Sequence, residues 1–172
     1  MRFRSPATLA GPVRLAFTAE SSAELPMTAE RPRPRRREDF VHWLPIQTRW
    51  MDNDAYGHVN NVVYYSYFDT AVNEYLIRSG ALDIEASDVI GLVVETACSY
   101  FSELAFPQAL EAGVRAAHIG RSSVRYEVGI FAAGAATASA QGHFVHVYVD
   151  RANRKPAPLP EALRTALDRI HS

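Results

Sequence analysis

The sequence predicts an α+β fold in which a curved antiparallel sheet wraps around one long central helix. Two features support this prediction. A single long helical pattern runs over residues 60–79, and period-two patterns typical of strands occur before and after it. Because the helix is apolar over most of its circumference, it requires burial on several sides, which a sheet curved around it provides.

The composition fits one globular domain with a tail. The chain has 172 residues, 48% of them hydrophobic, so a real core can form. No apolar run reaches the roughly 18 residues of a spanning helix, and no continuous apolar segment opens the chain. We therefore expect no membrane span and a cytoplasmic location. The single cysteine, Cys98, excludes an internal disulfide and is expected to be inert.

Residues 1–37 differ from the rest of the chain. They contain eight arginines and three glutamates, a net charge of +5, and end in alternating Arg and Pro. Proline resists helix and sheet, and like charges repel, so we predict a disordered Arg/Pro-rich arm. It is either a dispensable leader or a segment that binds a polyanion or directs the chain to an organelle. The predicted domain, residues 38–172, carries a net charge of −6, so we expect no nucleic-acid partner.

The first strand and the helix follow in order. Pro45 lies within the strand pattern and removes a donor, which indicates an edge strand or a bend. Asn60 can cap the helix, and Gly80 follows its predicted last residue, Ser79. The strand places these residues on one face: Phe40, His42, Leu44, Ile46, Thr48 and Trp50. The helix places these on its apolar face: Val62, Tyr65, Phe68, Val72, Tyr75 and Leu76.

Four further strands are predicted after the helix, as consecutive hairpins. Their alternating patterns cover residues 90–100, 114–119, 123–131 and 137–149, with turn signals between them. A short helix from Pro158 to Ile170 closes the chain, with prolines near its start where they are tolerated.

The segment between the first strand and the helix contains the residues suited to chemistry. Residues 52–61 include two carboxylates, a glycine, a histidine and three asparagines. A loop that ends at a helix N-terminus favours negative charge, because unpaired N–H groups and the helix dipole point into it. One loop can thus supply an ionised carboxylate and an oxyanion hole. The alternative is a capping loop without catalysis, and the loop chemistry alone does not rank Asp52 against Asp54.

The same segment resembles a known family. An Asp-x-Asp-x-x-Gly-His-Val-Asn-Asn-x-x-Tyr pattern over residues 52–64, followed by an aromatic helix, is similar to the signature of the 4-hydroxybenzoyl-CoA thioesterase family. That family has the hotdog fold, in which an antiparallel sheet wraps around one long helix. The resemblance extends from residue 39 to the end, including Ile119-Gly120-Arg121-Ser122-Ser123 and the Pro-x-Pro-Leu-Pro sequence at 156–160.

The resemblance implies a catalytic site in this segment. The family's catalytic aspartate corresponds to Asp54, and its oxyanion donor corresponds to a main-chain N–H near Asn61. His58 is a secondary catalytic candidate. The implied reaction is attack of water on a thioester, with Asp54 as general base or as nucleophile; both options stay open. Asp52 is expected to be structural.

Substrate contacts are also implied. Gly57 and Tyr64 are expected to contact the substrate, and the turn of Arg121, Ser122 and Ser123 is expected to contact coenzyme A. The alternative for this turn is an ordinary exposed hairpin.

The chain departs from the family pattern at Tyr56. Related thioesterases that act on acyl carrier protein have Asn there, so a mechanism that needs this Asn is in doubt. Members acting on aromatic thioesters often have Asp-x-Asp-Pro-Ala-Gly, which is absent here, so an aromatic substrate is not implied.

No metal or cofactor is expected. His143 and His146 lie three apart on a strand and so point to opposite faces, which prevents them from binding one ion. Asp52, Asp54 and His58 offer too few ligands for a divalent cation.

Three functions are compatible with this interpretation. The first is an acyl-CoA thioesterase, the second a hotdog hydratase or dehydratase with a His–Asp or His–Glu pair, and the third a non-catalytic acyl-CoA-binding domain. We expect a homodimer or homotetramer whose sheets join edge to edge, with the site at the interface.

Overall fold

The structure is a computed structural model that describes residues 32–172. Most of the predicted arm, residues 1–31, lies outside the described residues. The strands are β1 (His42–Gln47), β2 (Val89–Tyr100), β3 (Ala109–Ile119), β4 (Ser123–Ala132) and β5 (Ala140–Asp150), and the helices are α1 (Asn61–Arg78) and α2 (Glu161–Asp168). Short 3-10 turns at Arg37–Asp39 and Trp50–Asp52 flank β1.

The five strands form one antiparallel sheet in the order β1-β3-β4-β5-β2, with α1 packed against one face. This confirms the predicted α+β class with a curved sheet around one long helix. The prediction of four consecutive hairpins is wrong for β2 and β3, because β2 pairs with β5 and the chain then crosses to the other side of the sheet. No helix within residues 32–172 is long and apolar enough to cross a bilayer.

Strand β1 is at an edge of the sheet, as Pro45 predicts. Leu44 and Ile46 are buried on its inner face, and Thr48 is buried beyond its end, where its hydroxyl donates to the Gln108 carbonyl at 2.8 Å. The prediction that Trp50 lies on the same face as Leu44 and Ile46 is wrong. Trp50 lies in the 3-10 turn after the strand and is 81% exposed, because the turn breaks the alternation.

Helix α1 begins and ends as its caps predict. The Asn60 side chain accepts the Val62 N–H at 3.2 Å, and Gly80 follows the helix with φ of +72°, a conformation that favours glycine. Val62 is wrongly predicted as buried, since it is 62% exposed. The sheet covers one side of the helix, which buries Tyr64, Tyr67, Phe68, Ala71, Val72, Tyr75 and Leu76.

The other face of the sheet is partly covered by the segment before β1. Arg37 forms a bidentate pair with Glu111 at 2.7 and 2.9 Å, and Arg35 pairs with Glu127 at 2.8 Å. Phe40 packs edge-on against Phe131 in a second, smaller core. The last residues of the predicted arm therefore contact the sheet.

The burial of α1 leads to a stability prediction. Val72→Ala removes two methyl groups from a fully buried site and should lower the free energy of unfolding by about 2 kcal/mol. Val62→Ala, the same change at an exposed position of the same helix, is the control and should shift it by less than about 0.5 kcal/mol. Urea unfolding of both variants measures the difference; equal losses would contradict the assigned face.

Candidate active site

The loop between β1 and α1 is a tight hairpin. Asn53 and Val59 form an antiparallel bridge, and inside it the Asp54 N–H donates to the His58 carbonyl at 2.8 Å. The Gly57 N–H donates back to the Asp54 carbonyl at 3.1 Å. Gly57 has φ of +87°, so this turn requires a residue that tolerates the left-handed region.

Three hydrogen bonds attach this hairpin to its surroundings. The Val59 N–H donates to the Leu104 carbonyl at 2.7 Å, and the Phe106 N–H donates to Asn53 Oδ1 at 2.9 Å. The Asn60 N–H donates to the Asp52 carbonyl at 2.8 Å. The hairpin is therefore held to the segment after β2 on one side and to the start of α1 on the other.

Asp52 is the buried anchor of the loop. Its carboxylate accepts the Arg49 N–H at 2.7 Å and the Tyr67 hydroxyl at 2.8 Å, and it pairs with the Arg49 guanidinium at 2.8 Å. Burial raises the pKa of Asp52, but these hydrogen bonds outweigh it and leave the pKa below its ordinary value. With no exposed surface, this carboxylate is enclosed by its partners and cannot reach a substrate.

Asp54 is half-buried and has one free carboxylate oxygen. Its Oδ1 accepts the Tyr56 N–H at 2.8 Å and the His58 N–H at 3.3 Å. Within residues 32–172, its Oδ2 accepts no hydrogen bond. The turn therefore fixes the orientation of the carboxylate and leaves one oxygen available to a reacting group.

The first turn of α1 offers an unpaired hydrogen-bond donor. The Asn60 side chain and carbonyl occupy the N–H groups of Val62 and Val63. The N–H of Asn61, the first helical residue, donates to no acceptor in the described part of the chain. An unpaired N–H at a helix N-terminus is suited to stabilise developing negative charge.

A cavity of about 330 Å³ brings these groups together. Four predicted site residues line it, namely Asp54, His58, Asn61 and Tyr64, together with Tyr100 and Glu103. The rings of Tyr64 and Tyr100 meet edge to face at 5.1 Å, and the Tyr100 hydroxyl donates to the Asn61 carbonyl at 3.0 Å. Burial raises the pKa of Tyr64 to about 12, so its hydroxyl is neutral at physiological pH.

Glu103 is a site residue that the sequence did not predict. Its carboxylate lies 3.0 Å from His58 Nε2, and both side chains line the cavity. Glu103 follows β2, 45 positions after His58 in the sequence, and stands in no motif. Only the docking of the hairpin on the segment after β2 brings the two together.

The remaining predicted site residues do not line this cavity. Gly57 lies at the exposed tip of the hairpin and does not line the cavity. Arg121 and Ser122 lie in the turn between β3 and β4, and Ser123 begins β4; the Tyr148 N–H donates to the Ser122 carbonyl at 2.7 Å. That turn is at the end of the sheet where β2 begins, whereas Asp54 is at the end where β2 stops.

Other candidate groups lie apart from this cavity. His143 and His146 are on opposite faces of β5, as predicted, with His143 bonded to Glu95 at 2.7 Å. Burial raises the pKa of the Cys98 thiol to about 11, which leaves it protonated. Within residues 32–172, no three His, Cys, Asp or Glu side chains form a group that could hold a metal ion.

Comparisons with known proteins agree with this architecture. Residues 48–167 match the thioesterase-like superfamily. The PA5185 protein from Pseudomonas aeruginosa strain PAO1 is 53% identical, with 81% of this chain and 98% of that chain covered and a TM-score of 0.80. A thioesterase from Thermus thermophilus, complexed with coenzyme A and zinc, is 33% identical, with 77% and 96% covered and a TM-score of 0.64.

A more distant neighbour shows the fold alone. This is a 1,4-dihydroxy-2-naphthoyl-CoA thioesterase from Synechocystis, which is 21% identical, with 73% of this chain and 94% of that chain covered and a TM-score of 0.67. No curated protein matches the chain.

The two aspartates should differ in their effect on stability. Asp52→Asn should lower the free energy of unfolding by about 1–3 kcal/mol, because it breaks a buried charged hydrogen-bond cluster. Asp54→Asn is the control. Its amide oxygen can still accept the two turn N–H groups, so its stability should stay within about 0.5 kcal/mol of wild type.

Acid unfolding gives a second readout of the same pair. A carboxyl with a lowered folded-state pKa stabilises the protein above its unfolded value, and this stabilisation is lost as the pH falls through the folded value. Wild type should therefore lose stability more steeply than Asp52→Asn at pH values below the ordinary carboxyl pKa of 3.8. Parallel acid profiles of the two proteins would contradict this role.

Proposed function

The chain belongs to the thioesterase-like superfamily, and we propose that it hydrolyses an acyl-CoA thioester to a free acid and coenzyme A. The motif over residues 52–64, which resembles the 4-hydroxybenzoyl-CoA thioesterase family, supports this reaction. The relative from Thermus thermophilus, a thioesterase complexed with coenzyme A, supports the same class of substrate.

One observation carries the proposal. The free Oδ2 of Asp54 and the unpaired N–H of Asn61 belong to residues that line one cavity at the start of α1. A thioester carbonyl bound there would have a carboxylate on one side and a hydrogen-bond donor for its oxygen on the other. This is the pair of groups that acyl transfer to water requires.

The mechanism follows from these two groups. Water attacks the thioester carbon, and its proton passes to Asp54 Oδ2; alternatively, Oδ2 attacks first and water hydrolyses the resulting mixed anhydride. In both routes the carbonyl oxygen becomes negative and accepts the Asn61 N–H. Collapse of this oxyanion expels the coenzyme A thiolate. In the first route this gives the free acid, and Asp54 passes its proton to the thiolate; in the second it gives the mixed anhydride, which water then hydrolyses. His58, which pairs with Glu103 and lines the same cavity, is the secondary group that can assist.

We propose that the complete site contains two protomers. β2 is an edge strand, and it exposes Leu92, Val93 and Val94 by 39, 47 and 61%. An apolar edge strand favours pairing with a second copy. Antiparallel pairing of two β2 strands places the Val89 end of one protomer beside the partner's Tyr100. The Arg121 turn of one protomer then approaches the partner's Asp54, where it can contact coenzyme A.

A second candidate function rests on the pair of His58 and Glu103. A hydratase would need such an acid–base pair to add water to an enoyl-CoA double bond. The Glu103 side chain is 76% exposed and that of His58 is 42% exposed. An ion pair this exposed contributes little free energy to holding the two groups together. Incubation with an enoyl-CoA separates the two functions, since a hydratase consumes the double bond without releasing thiol.

The central test is hydrolysis by the Asp54→Asn variant. A panel of acyl-CoA esters assayed for thiol release should identify a substrate for wild type, and Asp54→Asn should lower kcat by about 10²–10⁴-fold. Asp168→Asn, the same change at an exposed site on α2, is the control and should keep full activity.

Two results would contradict the proposal. If wild type binds acyl-CoA esters but cleaves none, the chain is a binding domain and not a hydrolase. If Asp54→Asn retains the wild-type rate while Asp52→Asn stays folded and inactive, the catalytic carboxylate is misassigned.

A further inference from the structure

A second, larger cavity lies at the other end of α1. It has a volume of about 730 Å³ and is enclosed by the last turns of α1, the loop before β2, the start of β2, β5 and α2. Apolar side chains form much of its wall, among them Leu76, Leu82, Val89, Ile90 and Leu163. Neither Asp54 nor the other groups of the candidate active site line it.

His146 is buried in the wall of this cavity without a hydrogen-bond partner. Its side chain comes from the inner face of β5, the residue is 3% exposed, and neither ring nitrogen has a partner within the described residues. Gly91 leaves room for the ring, because a Cβ there would lie 3.0 Å from Nδ1. Burial lowers the pKa of His146 to about 4, so the ring is neutral at physiological pH.

The groups around His146 do not form hydrogen bonds with its imidazole nitrogens. The rings of Phe144, Tyr126 and Tyr148 surround the imidazole at centroid distances of 5.9, 5.2 and 6.2 Å. The two tyrosine hydroxyls bond to each other at 2.6 Å. Buried polar groups are nearly always hydrogen-bonded, so an unpaired imidazole in a cavity wall indicates that a polar group entering the cavity, from water or from a ligand that displaces it, supplies the missing partner.

The wall that the described residues give this cavity contains one positive and one negative side chain, so it has no net formal charge to favour an anionic ligand. Arg151 is the one arginine in its wall, and its Nε and a terminal nitrogen donate to the carbonyls of Ser87 and Ile84 at 2.7 Å each. Asp88 adds a carboxylate to the same wall. The ligand group that faces His146 is therefore polar but uncharged.

We propose that this cavity binds the acyl part of the substrate and that His146 selects acyl groups carrying a hydroxyl. A neutral imidazole has one donor nitrogen and one acceptor nitrogen, and a hydroxyl can both donate and accept. A plain alkyl chain would leave the imidazole unpaired, which costs binding free energy. The inference rests on the proposed function and adds the substrate class to it.

The position of the hydroxyl follows from the fold. Asn73, which lines the cavity, lies about 18 Å along the axis of α1 from Asn61, at about 1.5 Å per residue. If two β2 strands pair antiparallel, as proposed above, the His146 cavity of one protomer faces the end of the partner that carries Asp54. Because Asp54 lines the other cavity and not this one, a thioester held at Asp54 lies outside the His146 cavity, and a hydroxyl that reaches His146 is on the part of the acyl chain away from the thioester.

Binding of free acids tests this inference without hydrolysis. Calorimetric titration of ω-hydroxydecanoic acid and decanoic acid should show that wild type binds the hydroxylated acid about tenfold more tightly. The imidazole nitrogens of His146 should shift in NMR spectra on addition of the hydroxylated acid only. The preference should disappear in His146→Phe and remain in part in His146→Gln, whose amide both donates and accepts.

His143→Phe is the matched control. It makes the same change on the same strand but on the opposite face, so the preference should stay at the wild-type value. Equal binding of the two acids by wild type, or a preference that persists in a folded His146→Phe, would overturn the inference. If His146→Phe does not fold, the wild-type preference and the His146 NMR shift decide.

The two proposals fail separately. If the hydroxylated acid binds preferentially and shifts His146 but no acyl-CoA is cleaved, the cavity assignment stands and the hydrolase proposal fails. If acyl-CoA esters are cleaved with the same kcat/KM whether or not they carry a distal hydroxyl, the hydrolase proposal stands and the role of His146 is wrong.

Discussion

The buried carboxylate of Asp52 is the constraint on which the candidate site depends. It joins Arg49, in the turn after β1, to Tyr67, two turns into α1, and its own carbonyl accepts the Asn60 N–H. The loop therefore has a fixed direction as it enters the helix. That direction places Asp54 and Asn61, whose N–H is unpaired, in the wall of one cavity, so a structural aspartate positions the aspartate that we assign to catalysis.

A second constraint is the order of the strands. Because β2 lies at the edge beyond β5, one protomer holds the Asp54 cavity at one end of the strand and the Arg121 turn and the His146 cavity at the other. One chain thus separates the carboxylate that we propose to act on the thioester from the turn and the cavity that we propose to bind coenzyme A and the acyl chain. The antiparallel pairing of two β2 strands that we propose would bring these two halves together.

The sequence predicted the element types, the helix caps and the edge position of β1 because each depends on local chemistry. It failed where a contact joins distant segments. The hydrophobic period identified the apolar positions of α1 but not which of them the sheet covers, so Val62 was placed inside. Alternation did not reveal that β2 pairs with β5, nor that Glu103 meets His58. The missing partner of His146 likewise depends on the packing of several elements.

Mixing two inactive variants tests the shared site most directly. Asp54→Asn and Arg121→Glu homodimers are unfolded together, refolded at equal amounts and assayed for thiol release. If Asp54 of one protomer acts with the partner's Arg121, each mixed dimer has one intact site, and activity should return to about a quarter of wild type. A mixture that stays inactive although mixed dimers form would contradict the account, as would full activity of Arg121→Glu alone.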